Sequence, residues 1–347
     1  MIAFGLYSHI RANHIRTALL MLCLSATVAM IFFSICLILE VFDGATSVHE
    51  LLTDALDRFF SDGPWLVIGL GVWFIVMVLF HHKVLDAATG AKGMSRSDEP
   101  KLYALLETLC ISRGMTVPQL KIIESDALNA YAAGLVEDDH CIAVTRGLIN
   151  ALSREELETV LAHELTHIRN RDAQMMVVAT IFVGFIGIIG SIIMHHWDIM
   201  LREALRKAGR DSDERPGIMP ILIGIFAAIV IAAMSYGLSL LIRFAISRKR
   251  EYLADAGAVE LTKNPDALIR ALRKIEGHAE IAAVAPKARA FFIETPALGG
   301  TRGWFATHPS IDERVAALVN FAGGHDVPRA PQVTQAQRMV WRIQSKT

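Results

Sequence analysis

The sequence predicts a mainly helical α+β membrane protein, in which four transmembrane helices carry a polar domain with a small antiparallel sheet. Three observations lead to this fold class. Four long uncharged runs interrupt the chain, the polar stretch between the second and third runs alternates between helical and strand-like periodicity, and a second polar stretch follows the fourth run. Hydrophobic residues make up 53% of the chain and the mean hydropathy is +0.41, which is more apolar surface than one soluble domain buries.

The four uncharged runs are each predicted to cross the roughly 30 Å hydrocarbon core of a bilayer as a helix. They occupy residues 17–39, 64–80, 173–194 and 216–242. For the third and fourth runs, a buried helical hairpin that only partly enters the bilayer is an alternative, because hydropathy alone does not separate the two cases.

The distribution of charge predicts the orientation of these helices. The N-terminal tail carries Arg11 and Arg16 and no acid, whereas the loop between the first two runs is mainly acidic. The segment 243–250, after the fourth run, is basic. Since cytosolic loops hold the excess of Lys and Arg, both termini and both polar stretches are predicted to be cytosolic in a multi-pass protein.

The runs divide the chain into five parts. These are a first membrane hairpin, a first polar part, a second membrane hairpin, a second polar part and a loosely ordered tail, at residues 1–80, 81–172, 173–242, 243–322 and 323–347. The net charge of −1 gives no indication of a nucleic-acid partner. The four cysteines form no C-x-x-C pair, which argues against a disulfide framework or a cysteine metal site.

Periodicity and capping residues predict the elements of the polar parts. In the first part, a helix at 100–114 precedes a strand at 117–124 and a hairpin of residues 128–134 and 141–145. Capping boxes at Ser153 with Glu156 and at Ser310 with Glu313 predict the starts of two further helices. Asn264 before a proline predicts the start of another.

The central motif is His163-Glu164-Leu165-Thr166-His167, on the helix that Ser153 begins. Histidines four residues apart on a helix point the same way, so both imidazoles can reach one Zn²⁺ at about 2.0–2.1 Å. Glu164 projects at an angle, where it can take a proton from an attacking water as the general base. A surface helix that happens to carry two histidines is the alternative.

A hydrolytic zinc site needs a third protein ligand and one open position. Glu251 is the candidate ligand, because a chain that leaves the cytosol after residue 172 and returns at residue 242 brings it back to the side of His167. Asp255 lies one turn further and can accept the outer N–H of a ligand histidine. The alternative for both carboxylates is a solvated helix face. The prediction is one zinc ion per chain.

These motifs resemble the HtpX family of bacterial membrane metallopeptidases, gluzincins related to the CAAX prenyl protease. The matching segments are collinear over residues 100–320 and comprise residues 118–120, 129–134, 142–145, the zinc helix through 172, 247–257 and 307–309 with Arg314. The resemblance implies a zincin-like catalytic domain and zinc-dependent endoproteolysis of membrane or misfolded proteins, for quality control and stress response, in a bacterial inner membrane. Protein or peptide substrates and the lipid bilayer are the implied partners.

The same resemblance implies roles for residues beyond the zinc ligands. Asn129 and an edge strand would hold the substrate backbone, because main-chain pairing binds many sequences alike. The residues of that strand are Ile142, Ala143, Val144 and Thr145. His308 and Arg314 would stabilise the oxyanion or position the substrate. The alternatives are that Asn129 is an asparagine in a turn, that His308 is a histidine at a helix entry, and that Arg314 is an arginine on an exposed helix face.

Two other functions remain open from the sequence. One is a processing protease of the same clan with narrow specificity, which would need more spans than four. The other is a silent zinc-bearing membrane scaffold, which the presence of Glu164 disfavours. The loop 279–303 is a candidate lid over the site. The pairs His81-His82 and His195-His196 are interpreted as interfacial side chains at the ends of spans, rather than as a second metal site.

Overall fold

The structure is a computed structural model that describes residues 6–43, 47–181, 248–278 and 309–326, with four single residues between 195 and 233. The third predicted span beyond residue 181, nearly all of the fourth span, the loop 279–303, His308 and the tail after residue 326 lie outside the described residues.

The chain begins with two long helices, α1 (Leu6–Asp43) and α2 (Val48–Thr89), that pack against each other. Ser47 caps α2 by accepting a hydrogen bond from the backbone N–H of Glu50 at 3.2 Å. Helix α2 contains an 18-residue window with a mean hydropathy of 2.2, none of which is buried, and is the one helix among the described residues long and apolar enough to cross a membrane. The apolar segment of α1, Ser25–Val41, is shorter.

Four strands follow α2, in the order β1-β2-β4-β3 across one sheet. They are β1 (Ala91–Gly93), β2 (Gln119–Ile123), β3 (Ala130–Ala133) and β4 (Cys141–Thr145), with α3 (Pro100–Arg113) between the first two. Helix α2 continues beyond the predicted end of the second span at residue 80 and ends at Gly90, which is in the left-handed conformation.

The sheet is mixed, so the prediction of an antiparallel sheet is wrong. The predicted hairpin of β3 and β4 is confirmed, with Tyr131 opposite Ala143. However, β4 returns into the sheet between β3 and β2 and runs parallel to β2, with Leu120 beside Ile142. β4 is completely buried, because Ile142 and Val144 pack into one apolar cluster and Cys141 and Ala143 into another on the opposite face.

The remaining elements are helices, and three of them, α5, α8 and α9, start at the predicted caps. They are α4 (Arg146–Ala151), α5 (Arg154–Arg169), α6 (Asp172–Ile181), α7 (Arg248–Thr262), α8 (Pro265–Ile275) and α9 (Ile311–Ala322). Both capping boxes form, and the Asn264 side chain accepts from the N–H of Ala267. One apolar core joins α3, the sheet, α5, α8 and α9, and includes Leu106, Leu120, Leu161, Leu165 and Leu272. This core holds α5 rigidly against the sheet.

Candidate active site

Three side chains predicted as metal ligands converge in the structure. His163 and His167 lie one turn apart on α5, with their Nε2 atoms 3.1 Å apart. Glu251 is in the first turn of α7, and its carboxylate oxygens lie 3.6 Å from His163 Nε2 and 3.8 Å from His167 Nε2. Helix α7 reaches this position because it packs along α5.

The three side chains suit a tetrahedral metal ion. At the bond lengths of a zinc site, ligand atoms around a tetrahedral ion are about 3.3–3.4 Å apart. The two Nε2 atoms are 3.1 Å apart, Glu251 Oε2 lies 3.6 Å from His163 Nε2, and the other oxygen, Oε1, lies 3.8 Å from His167 Nε2, so the ligand groups are spaced close to this value. Two neutral imidazoles and one carboxylate leave the fourth position open, so these residues suit a metal that acts in hydrolysis.

The outer nitrogen of each histidine faces a buried carboxylate. His163 Nδ1 lies 3.0 Å from Asp255, which was predicted from the sequence, and His167 Nδ1 lies 3.1 Å from Asp172, which was missed. Each carboxylate accepts the Nδ1–H hydrogen and so leaves Nε2 as the metal-binding atom. The position of Asp172 just after α5 is the sequence feature that could have suggested this contact. The contact itself depends on the turn at Arg171, with φ of 60°, which brings Asp172 back to His167.

Arg314 reaches the same site from α9. Its Nε and Nη2 atoms donate to the two carboxylate oxygens of Asp255 at 2.8 and 2.5 Å, and Nη1 lies 3.7 Å from Glu251. The guanidinium is almost fully buried. It is therefore not on the exposed helix face of the alternative interpretation, and its single positive charge partly offsets those of the two carboxylates that flank His163.

Burial controls the protonation of this site. Desolvation raises the pKa of the Glu164 carboxyl, against the opposing effect of the two histidines and Arg314. Burial lowers the pKa of His163, but hydrogen bonds with Asp255 and Glu251 outweigh it and raise that pKa to about 9. In the metal-free protein at neutral pH, metal binding at His163 therefore displaces a proton.

The strand predicted to bind substrate is not at an edge. Residues Ile142, Ala143, Val144 and Thr145 belong to β4, whose two sides pair with β2 and β3. An interior strand has no free backbone groups for a peptide, so the edge-strand prediction is wrong. Asn129 precedes β3 and is buried, and its Oδ1 accepts from the N–H of Ala130 at 3.0 Å. Its predicted contact with substrate stays a prediction.

Comparisons with known proteins assign the chain to a peptidase family. The model of Peptidase family M48 matches residues 96–322, which contain α3, the site and α9. The chain belongs to peptidase family M48. It is 38% identical to a protein named "Protease HtpX homolog" from Bacteroides fragilis (strain YCH46), over 91% of this chain and 99% of that protein.

Further relatives extend the comparison. A "Protease HtpX homolog" from Listeria monocytogenes serotype 4a (strain HCC23) is 34% identical over 75% of this chain and 87% of that protein. The crystal structure of S. mikatae Ste24p aligns with 76% of this chain and 60% of that chain, at 19% identity and a TM-score of 0.43. The M48 assignment and the HtpX relatives support a membrane metalloprotease.

Asp172→Asn is expected to weaken metal binding and proteolysis about 10–100-fold, as is usual when the carboxylate behind a ligand histidine is lost. An amide can turn its N–H₂ toward His167 Nδ1 and so favour the wrong tautomer. Metal affinity measured against a competing chelator checks this. Asp138→Asn, an exposed change of the same kind, serves as the control. An Asp172→Asn protein with wild-type metal affinity contradicts the assigned role.

Gly257→Ala is expected to reduce activity by separating α7 from α5 in this M48 site. A Cβ at Gly257 would lie 2.5 Å from Thr166 Cγ2 and 2.7 Å from Thr166 Oγ1. Such overpacking costs about 1–3 kcal/mol in the free energy of unfolding and shifts Glu251 from the histidines. The unfolding midpoint and metal affinity are the measurements.

A compensating change separates this steric effect from others. Thr166→Ala removes both clashing atoms and gives up only the hydrogen bond from Thr166 Oγ1 to the carbonyl of Ala162. The double variant Gly257→Ala with Thr166→Ala is expected to recover most of the lost stability and metal affinity. If the double variant is no better than Gly257→Ala alone, close packing of the two helices is not the reason for the glycine.

Proposed function

We propose that this chain is a zinc-dependent integral-membrane endopeptidase that hydrolyses membrane or misfolded proteins in protein quality control. The convergence of His163, His167 and Glu251 carries the proposal, because two imidazoles, a carboxylate and an open position are the donor set of a hydrolytic zinc site. Imidazole ligands favour zinc over magnesium or calcium. A bound zinc ion supplies a Lewis acid that polarises the scissile carbonyl and activates water.

The side chains of the site have distinct parts in the reaction. Glu164 takes the proton of the attacking water and delivers it to the leaving amine nitrogen. Asp255 and Asp172 keep the two histidines in the tautomer that presents Nε2. Arg314 is a positioning residue, because its fork of hydrogen bonds fixes Asp255. Direct contact of His308 with the oxyanion remains part of the proposal, whereas Arg314 is assigned the positioning role.

Substrate is proposed to bind in an extended form near β3. In the order β1-β2-β4-β3, β3 is the outer strand, and α5 packs against it. A peptide aligned with the sheet at this side would lie beside the zinc helix, with Asn129 at the start of the strand. Recognition through the backbone would suit a protease for many unfolded sequences.

The proposed topology has four spans, with both termini and the site in the cytosol of a bacterial cell. The apolar and unburied surface of α2 supports the second span, and the charge bias of the loops supports the orientation. A cysteine introduced at Asp138, on the exposed connection between β3 and β4, tests the side of the polar domain. An impermeant maleimide should label it in inside-out vesicles and leave it unlabelled in intact spheroplasts.

Cleavage of casein by the purified full chain in detergent tests the proposed activity. Chelation should remove the active-site zinc ion and abolish cleavage, and zinc added back should restore both. Cleavage that survives the loss of zinc contradicts the zinc site. Zinc that is bound without cleavage of casein or of an unfolded membrane protein would favour the silent scaffold.

A further inference from the structure

A second cluster of metal-binding side chains lies away from the active site, where the end of α2 meets the connection between β3 and β4. His81 and His82 come from α2, and Asp139 from the short 3-10 turn Glu137–Asp139. One donor atom from each of the three residues falls within 4.8 Å of the others. The Nε2 atoms of His81 and His82 lie 3.5 and 3.9 Å from the same oxygen, Asp139 Oδ2.

The hydrogen bond of His81 determines which of its nitrogens is available. Its Nδ1 lies 2.7 Å from the carbonyl oxygen of Val78, which only accepts, so Nδ1 carries the hydrogen. Nε2 of the neutral ring then has a lone pair, and it is buried without a hydrogen bond in the described part of the chain. This lone pair faces a carboxylate oxygen, which also only accepts, so a cation between the two atoms would satisfy both.

The carboxylate of Asp139 is held in place for this contact. Its Oδ1 accepts the backbone N–H groups of Leu135 and Val136 at 2.8 and 3.0 Å, which leaves Oδ2 directed at the histidines. Gly134 permits the tight turn, because a Cβ there would lie 2.8 Å from Asp139 Oδ1. Rigid support of a ligand by hydrogen bonds to its other atom is characteristic of metal sites.

The second imidazole is also oriented by its neighbours. The rings of His81 and His82 lie against each other with centroids 4.1 Å apart, and His82 Nδ1 is 3.8 Å from the Sγ atom of Cys141. Contact of Nδ1 with the thiol leaves His82 Nε2 toward Asp139. His82 and Asp139 are partly exposed, so an ion can enter and water can complete its coordination.

We propose that His81, His82 and Asp139 form a second site for a divalent transition-metal ion, which links the end of α2 to the β3–β4 connection. Two imidazoles and a carboxylate favour zinc, nickel or copper over magnesium and calcium. The site is distinct from the catalytic centre, because none of its ligands belongs to α5 or α7. It replaces the interpretation of these histidines as interfacial side chains.

Zinc bound to the full chain in detergent, measured after dialysis against buffered free zinc, tests the second site. The wild type should carry about two ions per chain, and Asp139→Asn about one. The asparagine retains an oxygen for the N–H groups of Leu135 and Val136 and presents an amide to the histidines. Asp138→Asn, an exposed change in the same turn, should keep both ions. His82→Asn, which is too short to place a donor at the Nε2 position, should lose one.

A background without the catalytic ion makes the test independent of the proposed function. In His167→Asn with Glu251→Gln, added zinc should still raise the unfolding midpoint, and Asp139→Asn in the same background should remove that rise. The second site alone is overturned if the wild type carries one ion, Asp139→Asn keeps it, and the double variant His167→Asn with Glu251→Gln loses it. If the wild type carries one ion that Asp139→Asn loses and the double variant keeps, the result supports the second site and contradicts the catalytic zinc.

Discussion

Glu164→Gln should abolish cleavage of casein while the protein still binds metal at the active site. Glu164 lies on α5 next to His163 and is buried. The amide has nearly the same shape but cannot take a proton from water. Loss of a general base typically reduces the rate about 10²–10⁴-fold, which would leave little measurable proteolysis.

The control for this change comes from the same helix. Glu158→Gln makes the identical chemical change on α5 at a partly exposed position and should leave both cleavage and metal content unchanged. Metal content and the unfolding midpoint of Glu164→Gln should match the wild type. Cleavage by Glu164→Gln at more than a tenth of the wild-type rate would show that another group is the base.

Local patterns account for the parts of the site that the sequence predicts correctly. The four-residue spacing of His163 and His167 depends only on helical geometry, and the Ser153 capping box locates the start of that helix. Asp255 follows from Glu251 by the same one-turn spacing. Such features need no knowledge of which elements are neighbours in space, and for this reason the zinc helix was predictable from a single chain.

Features that depend on tertiary pairing were not predictable in this way. The alternation of residues in β4 is the same whether the strand is central or at an edge, so the order β1-β2-β4-β3 could not be read from it. Asp172 reaches His167 only through a turn between α5 and α6. The contact of Asp139 with His81 and His82 joins residues on α2 and the hairpin, and hydropathy gave only the position at the end of a span.

The second large effect is expected at Glu251, whose change to glutamine should cost the enzyme its metal. Glutamine fills nearly the same volume beside Arg314 but carries no charge, so the site would offer a cation two neutral rings and one weak oxygen. Because Glu251 is the proposed third ligand, the loss of metal affinity should exceed the roughly 10–100-fold effect of changing a carboxylate behind a ligand. Proteolysis at limiting zinc should fall in parallel.

The competing explanation for such a loss of metal is that α7 becomes disordered. A change at Glu260 separates this explanation from the loss of a ligand. Glu260 lies near the other end of α7 and is 66% exposed at its side chain, where it pairs with the partly exposed Arg169 and with the largely buried Arg113. Glu260→Gln therefore removes a charge from the same helix without touching the site, and it should retain metal and activity. In Glu251→Gln, excess zinc should restore part of the cleavage if the helix is intact, because mass action compensates for a weakened ligand. Wild-type metal affinity in Glu251→Gln would show that the third ligand is another residue.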